Sequence, residues 1–76
     1  MSALHQIVAD VLEMSVDEVS DETSPTTAKS WDSMKHIELV LALETSFGVK
    51  FAPSEIMLIN SLGAARDLLS QKGAAI

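Results

Sequence analysis

The chain has 76 residues, 47% of them hydrophobic, no cysteine, and a formal net charge of −6 from 11 acidic and 5 basic side chains. A chain this short forms one domain, 1–76 with a folded core over about residues 3–72, and buries only about 60% of its unfolded surface, so no deep catalytic cleft is expected. The acid excess repels phosphate backbones and anionic membranes and so excludes nucleic-acid or lipid-surface binding, while the missing cysteines exclude disulfides and thiolate metal sites.

Met1-Ser2-Ala3-Leu4-His5-Gln6 lacks the basic region and continuous apolar run of a signal peptide. No stretch is long enough to insert in a membrane, so a cytoplasmic monomer is expected. Ser2 caps a first helix that runs to about Met14, in which Leu4, Ile7, Val8, Val11 and Leu12 recur with a period near 3.6. From Ser15 to Trp31 the pattern lapses into short polar side chains that compete for backbone hydrogen bonds, which predicts a long loop anchored by Val16 and Val19. Asp17, Glu18, Asp21 and Glu22 lack the glycine turn and terminal glutamate of a calcium-binding loop and are expected to be solvated. Trp31 closes the loop, pinned on the bundle with its indole N–H near solvent.

Asp32 is a preferred N-cap residue, and nothing after it breaks a helix until Gly48, whose backbone freedom predicts an end near Phe47. Ser33 then sits at the first helical position, near free N–H groups and the positive end of the helix dipole, where a phosphate is favoured. The second helix carries two apolar stripes. His36, Leu39, Val40, Leu43 and Phe47 share one face, and Met34, Ile37 and Leu41 share a neighbouring one. A domain of this size rarely buries both, so Met34, Ile37 and Leu41 are expected to meet a partner; the competing expectation is a core stripe covered by the loop. Val49-Lys50-Phe51 forms a short extended segment with Phe51 toward the core. Pro53 opens a third helix of one to two turns through Ile59, too short to be stable alone. Asn60 and Ser61 offer a cap for a last helix with Leu62, Ala65, Leu68 and Leu69 as its buried stripe, slightly weakened by Gly63 and ended by Gly73, before a frayed Ala74-Ala75-Ile76 tail. The fold class is all-α: a four-helix bundle with three longer helices, a short third one, and a long loop between the first two.

Asp32-Ser33-Met34, followed by Leu39-x-x-x-Leu43-Glu44-x-x-Phe47-Gly48-Val49 and preceded by Val16-Asp17-x-x-Val19, resembles the acyl carrier proteins over about Leu4 to Leu69. The resemblance implies that Ser33 is esterified to 4'-phosphopantetheine by a phosphopantetheinyl transferase using coenzyme A and magnesium. It implies that the arm's thiol then carries an acyl, polyketide or aminoacyl group as a thioester between acyl-transferring, ligating or synthase enzymes. Asp32 matches the family's aspartate beside the attachment serine. Leu39, Val40, Leu43, Phe47 and Ile59 fall where such carriers line an interior that shelters an acyl chain. Met34, Lys35, Ile37, Glu38, Leu41 and Glu44 fall on the partner-docking side of the second helix. Two departures stand out. Ser30 and Trp31 occupy a run that usually holds glycine, as in stand-alone carriers of specialised pathways, and Lys35 and His36 stand where fatty-acid carriers are acidic or neutral, which biases partner choice.

Other readings predict different chemistry. A hydrolase would pair Ser33 with His36 and Asp32, but neighbours on one helix do not give a triad its geometry. A peptidyl or aminoacyl carrier, or a helical interaction module without a prosthetic group, shares the same composition. His5 and His36 lack a paired ligand spacing, so no metal site is expected. Lys29 and Lys35 are candidates for contact with the arm's phosphate, against the simpler expectation of solvated lysines.

Overall fold

A computed structural model describes residues 3–74 of the chain. Four α-helices make up the described residues, α1 (Ala3–Leu12), α2 (Ser33–Phe47), α3 (Pro53–Leu58) and α4 (Leu62–Gln71), with a 3-10 turn at Val16–Glu18. The predicted Ser2 cap and the last two residues of the tail lie outside the described residues. The three longer helices bury the stripes their spacing demands: Leu4, Val8 and Leu12 from α1, Leu39, Val40 and Leu43 from α2, and Leu62, Ala65, Leu68 and Leu69 from α4. Val19, Ala28, Trp31, Phe51 and Ile59 complete this core from the connections, which is why a chain without covalent staples folds.

α1 ends two residues before the expected Met14. Glu13 adopts a left-handed conformation, φ 57°, and the Glu13 and Met14 N–H groups return to the Asp10 and Ala9 carbonyls at 3.3 and 2.9 Å. This is a Schellman closure in which a glutamate takes the place that glycine usually fills, and partly buried Met14 packs back on the core. α2 ends as expected, with Gly48 left-handed and its N–H bonded to the Glu44 carbonyl.

The loop before α2 is more ordered than its composition suggested. Successive turns are closed by Ser20 and Thr23, whose Oγ1 accepts from the Ser20 N–H at 2.9 Å, and by Ser24, whose carbonyl accepts from the Ala28 N–H at 2.7 Å. Val19 is buried and Val16 packs at the core's edge, as their spacing predicted. The loop also crosses the start of α4: the Leu62 and Gly63 N–H groups donate to the Thr23 and Asp21 carbonyls, both at 2.9 Å. A side chain at Gly63 would place its Cβ 3.2 Å from that Asp21 oxygen, so the glycine admits the loop rather than merely weakening the helix.

The acidic residues of the loop are exposed as expected, and at Asp21 the structure adds a surface pair, its two carboxylate oxygens meeting the Arg66 guanidinium of α4 in a bidentate contact. That contact joins residues 45 apart in the chain, which no local pattern shows. α3 is held by three separate ties: Ile59 in the core, a Glu55–Lys72 ion pair at 2.8 Å, and a bond from α2 to the Ile56 carbonyl. Ala74 packs partly on the core, so the tail is not frayed at that residue.

Candidate functional site

The site begins with the backbone of α2. Asp32 is extended, and its Oδ1 accepts from the Lys35 N–H at 2.9 Å while its carbonyl accepts from the His36 N–H at 2.9 Å. Of the four N–H groups that a helix start leaves without intrahelical carbonyls, the Asp32 N–H bonds the Ser30 carbonyl and the Lys35 N–H is capped. Those of Ser33 and Met34 remain at the positive end of a 15-residue helix.

α4 differs. Its Leu62, Gly63 and Ala64 N–H groups are taken by Thr23, Asp21 and the Ser61 Oγ, so Ser61, the predicted cap, leaves no such vacancy. Ser33 itself is exposed. Its position matches what a phosphodiester needs: a solvent-facing hydroxyl to esterify, with unpaired N–H groups and a helix dipole beside it. The residues present therefore fit a phosphopantetheine group.

Trp31 departs from expectation. It is only 3% exposed, and its indole N–H does not face solvent but donates to His36 Nδ1 at 3.0 Å. An indole is a donor only, so His36 Nδ1 must be the accepting nitrogen, and Nε2 carries the proton that bonds the Ile56 carbonyl at 2.9 Å. The rings stack with centroids 6.1 Å apart. His36 is thus a tie between loop, α2 and α3. With both ring nitrogens committed it is not placed as a base for Ser33, which removes the hydrolase geometry.

The two stripes of α2 part as predicted. Leu39, Val40 and Leu43 are buried and Phe47 packs at the core's edge, whereas Met34, Ile37 and Leu41 are 75%, 53% and 57% exposed. Loop residues do not cover the second stripe. Met57 and Leu58 of α3 are also exposed, and sequence reasoning missed them because the helix was too short to show a periodicity.

The charged residues of α2 have internal partners. Lys35 lies 3.3 Å from both Glu13 and Glu38, so it is paired rather than simply solvated, and the hydrogen bonds its ammonium donates to Glu13 and Glu38 push its pKa above the ordinary value. Glu44 Oε2 accepts from the Phe51 N–H at 2.8 Å, which orders the α2–α3 connection. Among the described residues no group of three or more His, Asp and Glu could hold a metal.

A small helical bundle that offers a phosphate-ready serine beside an uncovered apolar helix face defines a carrier rather than an enzyme. Residues 2–69 match the family model described as "Phosphopantetheine attachment site". The chain is 36% identical over 69 residues to the polyketide-8 synthase acyl carrier protein 2 of Streptomyces avermitilis, covering 91% of this chain and 79% of the relative. It is 34% identical over 67 residues to an acyl carrier protein of Petrotoga mobilis, covering 88% and 79%. Among solved structures, the solution structure of a holo acyl carrier protein from Geobacter metallireducens superposes with a TM-score of 0.81 at 31% identity, covering 92% of this chain and 80% of that one. The chain belongs to the acyl carrier protein family, a non-catalytic carrier with 4'-phosphopantetheine as its prosthetic group that works with acyl-handling synthase enzymes.

Proposed function

We propose that Ser33 is the residue that carries the arm, and that this chain presents acyl units to the enzymes of a specialised pathway. The observation that carries the reading is the exposed Ser33 at the start of α2, with two N–H groups unspent beside it. The polyketide synthase carrier among its relatives supports a specialised cargo, as does the Ser30-Trp31 run where a glycine is usual shortly before Asp32-Ser33.

When bound, phosphopantetheine supplies a thiol that holds an acyl group as a thioester. The chain's own residues do the rest. Asp32 sets the helix start and so aims the Ser33 oxygen outward, and the Ser33 and Met34 N–H groups face the phosphate. Met34, Ile37 and Leu41 form an apolar strip for weak, reversible docking, with Glu38 beside it for a partner's basic side chains. Lys35 stands on the same surface and disfavours partners that carry a cation opposite it. Leu39, Val40, Leu43, Phe47 and Ile59 are the candidate lining for a sheltered acyl chain, reached if α3 shifts on its few ties. We read the chain as a cytoplasmic monomer loaded by a phosphopantetheinyl transferase. No helix of the described residues is long and apolar enough to cross a membrane.

The test is intact mass after incubation with coenzyme A, magnesium and a broad-specificity transferase. Wild type gains one phosphopantetheine, and Ser33→Ala gains none while keeping its helical circular dichroism. An unmodified wild type would sink the reading and favour an interaction module without a prosthetic group.

A further inference from the structure

The chain has no cysteine, so all its sulfur lies in four methionine thioethers. Three of these belong to the described residues, and the fold treats them differently. Met14 is partly buried and packs against the core just after α1 closes. Met34 on α2 and Met57 on α3 are 75% and 82% exposed, more than any other large apolar side chain among the described residues. A thioether in a core fills an irregular gap, and these two fill none.

Met34 has the consequential position. It follows Ser33 directly, and together with Ser33, Ile37 and Glu38 it walls an open hollow of about 440 Å³. A partner that comes to the Ser33 hydroxyl across the docking face meets the Met34 side chain on the way. A molecule as small as a peroxide reaches the same sulfur from solvent. Ile37 and Leu41, the rest of the exposed strip, are hydrocarbons that a peroxide leaves alone, whereas a thioether takes up one oxygen from it.

We propose that Met34 is an oxidation site, and that its sulfoxide, formed by hydrogen peroxide or an organic hydroperoxide, turns the docking face into a weaker-binding one. The inference rests on the carrier reading and adds a control to the same surface. In the step a lone pair on Sδ attacks the outer peroxide oxygen, and the S–O bond forms as the O–O bond breaks. The departing oxygen takes the proton of the transferred hydroxyl and leaves as water or an alcohol. Sulfur gives up two electrons and the peroxide accepts them. The product places a strongly polarised acceptor at the Ser33 end of an apolar strip. Covering that oxygen with a partner's apolar side chains, without a donor, weakens docking by a factor of about 5 to about 100. The fold itself does not desolvate the group, because Met34 stands mostly in water, so the bundle is unaffected. Reductases specific for the two sulfoxide epimers return the thioether, which makes the change reversible.

The test treats the full apo chain with hydrogen peroxide, removes the excess with catalase, and maps the added oxygens by peptide mass. The second readout is kcat/KM for loading by a transferase with coenzyme A and magnesium. Met34 and Met57 gain one oxygen each well before Met14, while Met1, outside the described residues, is read from its own peptide. Helical circular dichroism is unchanged, kcat/KM falls by a factor of about 5 to about 100, and the two reductases restore it. In Met34→Leu, a substitution of similar volume, kcat/KM keeps whatever value it starts from after the same treatment, although Met57 is oxidised. Oxidation of Met14 ahead of Met34, unchanged kcat/KM in oxidised wild type, or equal slowing of Met34→Leu overturns the inference and leaves the carrier function standing. Failure of untreated wild type to load overturns both.

Discussion

Trp31 and His36 show how one hydrogen bond can define the approach to a site. Trp31→Phe keeps most of the buried ring but leaves His36 Nδ1 without its donor, at a cost of about 1 kcal/mol. For a domain of this size the melting temperature should fall by about 4–8 °C, and thermal unfolding followed by circular dichroism checks it. Asp21 makes a prediction in pH. Its hydrogen bond to Arg66 holds the carboxyl below its ordinary value, outweighing the opposing effect of partial burial, with the Arg66 and His5 charges adding to the lowering. A carboxyl lowered on folding stabilises the fold at pH above its unfolded value, and that contribution is lost as pH falls through the lowered folded value. Melting temperature measured from about pH 5 to about pH 3 should thus drop more steeply for wild type than for Asp21→Asn. Parallel curves would show that the pair contributes nothing.

At the level of elements, α2 presents two faces of opposite use. Leu39 is fully buried and Leu41 is 57% exposed, only two positions away. Leu39→Asp should cost on the order of 3–5 kcal/mol or abolish folding, because it buries an uncompensated charge. Leu41→Asp should change stability by less than about 0.5 kcal/mol but weaken docking to a synthase partner. Equal loss of thermal stability in both variants would mean that the exposed stripe is structural. Gly63 tests the seam between the loop and α4. Alanine in a helix normally gains about 1 kcal/mol over glycine, yet here its Cβ would press on the Asp21 carbonyl that the Gly63 N–H holds. Gly63→Ala should therefore give no rise in melting temperature, and a rise of several degrees would show that the loop yields freely.

For the whole molecule, the charge of −6 makes association with a basic partner surface electrostatic at long range. Raising salt from about 0.05 to about 0.5 M should slow association with the transferase or a synthase domain, measured by surface resonance or stopped flow, and leave dissociation little changed. Several surface charges are spent inside the molecule, since Lys35 joins α1 to α2, Arg66 joins α4 to the loop, and Lys72 joins α4 to α3 while lying 5.5 Å from the Phe51 ring centroid. Each of these pairs sets an acid against its base, so the net charge of −6 is unchanged by the pairing and resides on the acidic side chains that have no basic partner.

Spacing alone determined the helices, their buried stripes, the Asp32 cap, the Ser33 position and the two-faced nature of α2, because each depends on residues within two turns of one another. Only the tertiary structure decided what depends on residues far apart in the chain. It folded Trp31 inward on His36, paired Asp21 with Arg66, set the loop carbonyls on the start of α4, and left Met57 and Leu58 exposed. Such contacts arise from how the loop and α3 close over the three longer helices, and a hydrogen bond between distant residues leaves no period in the sequence to read.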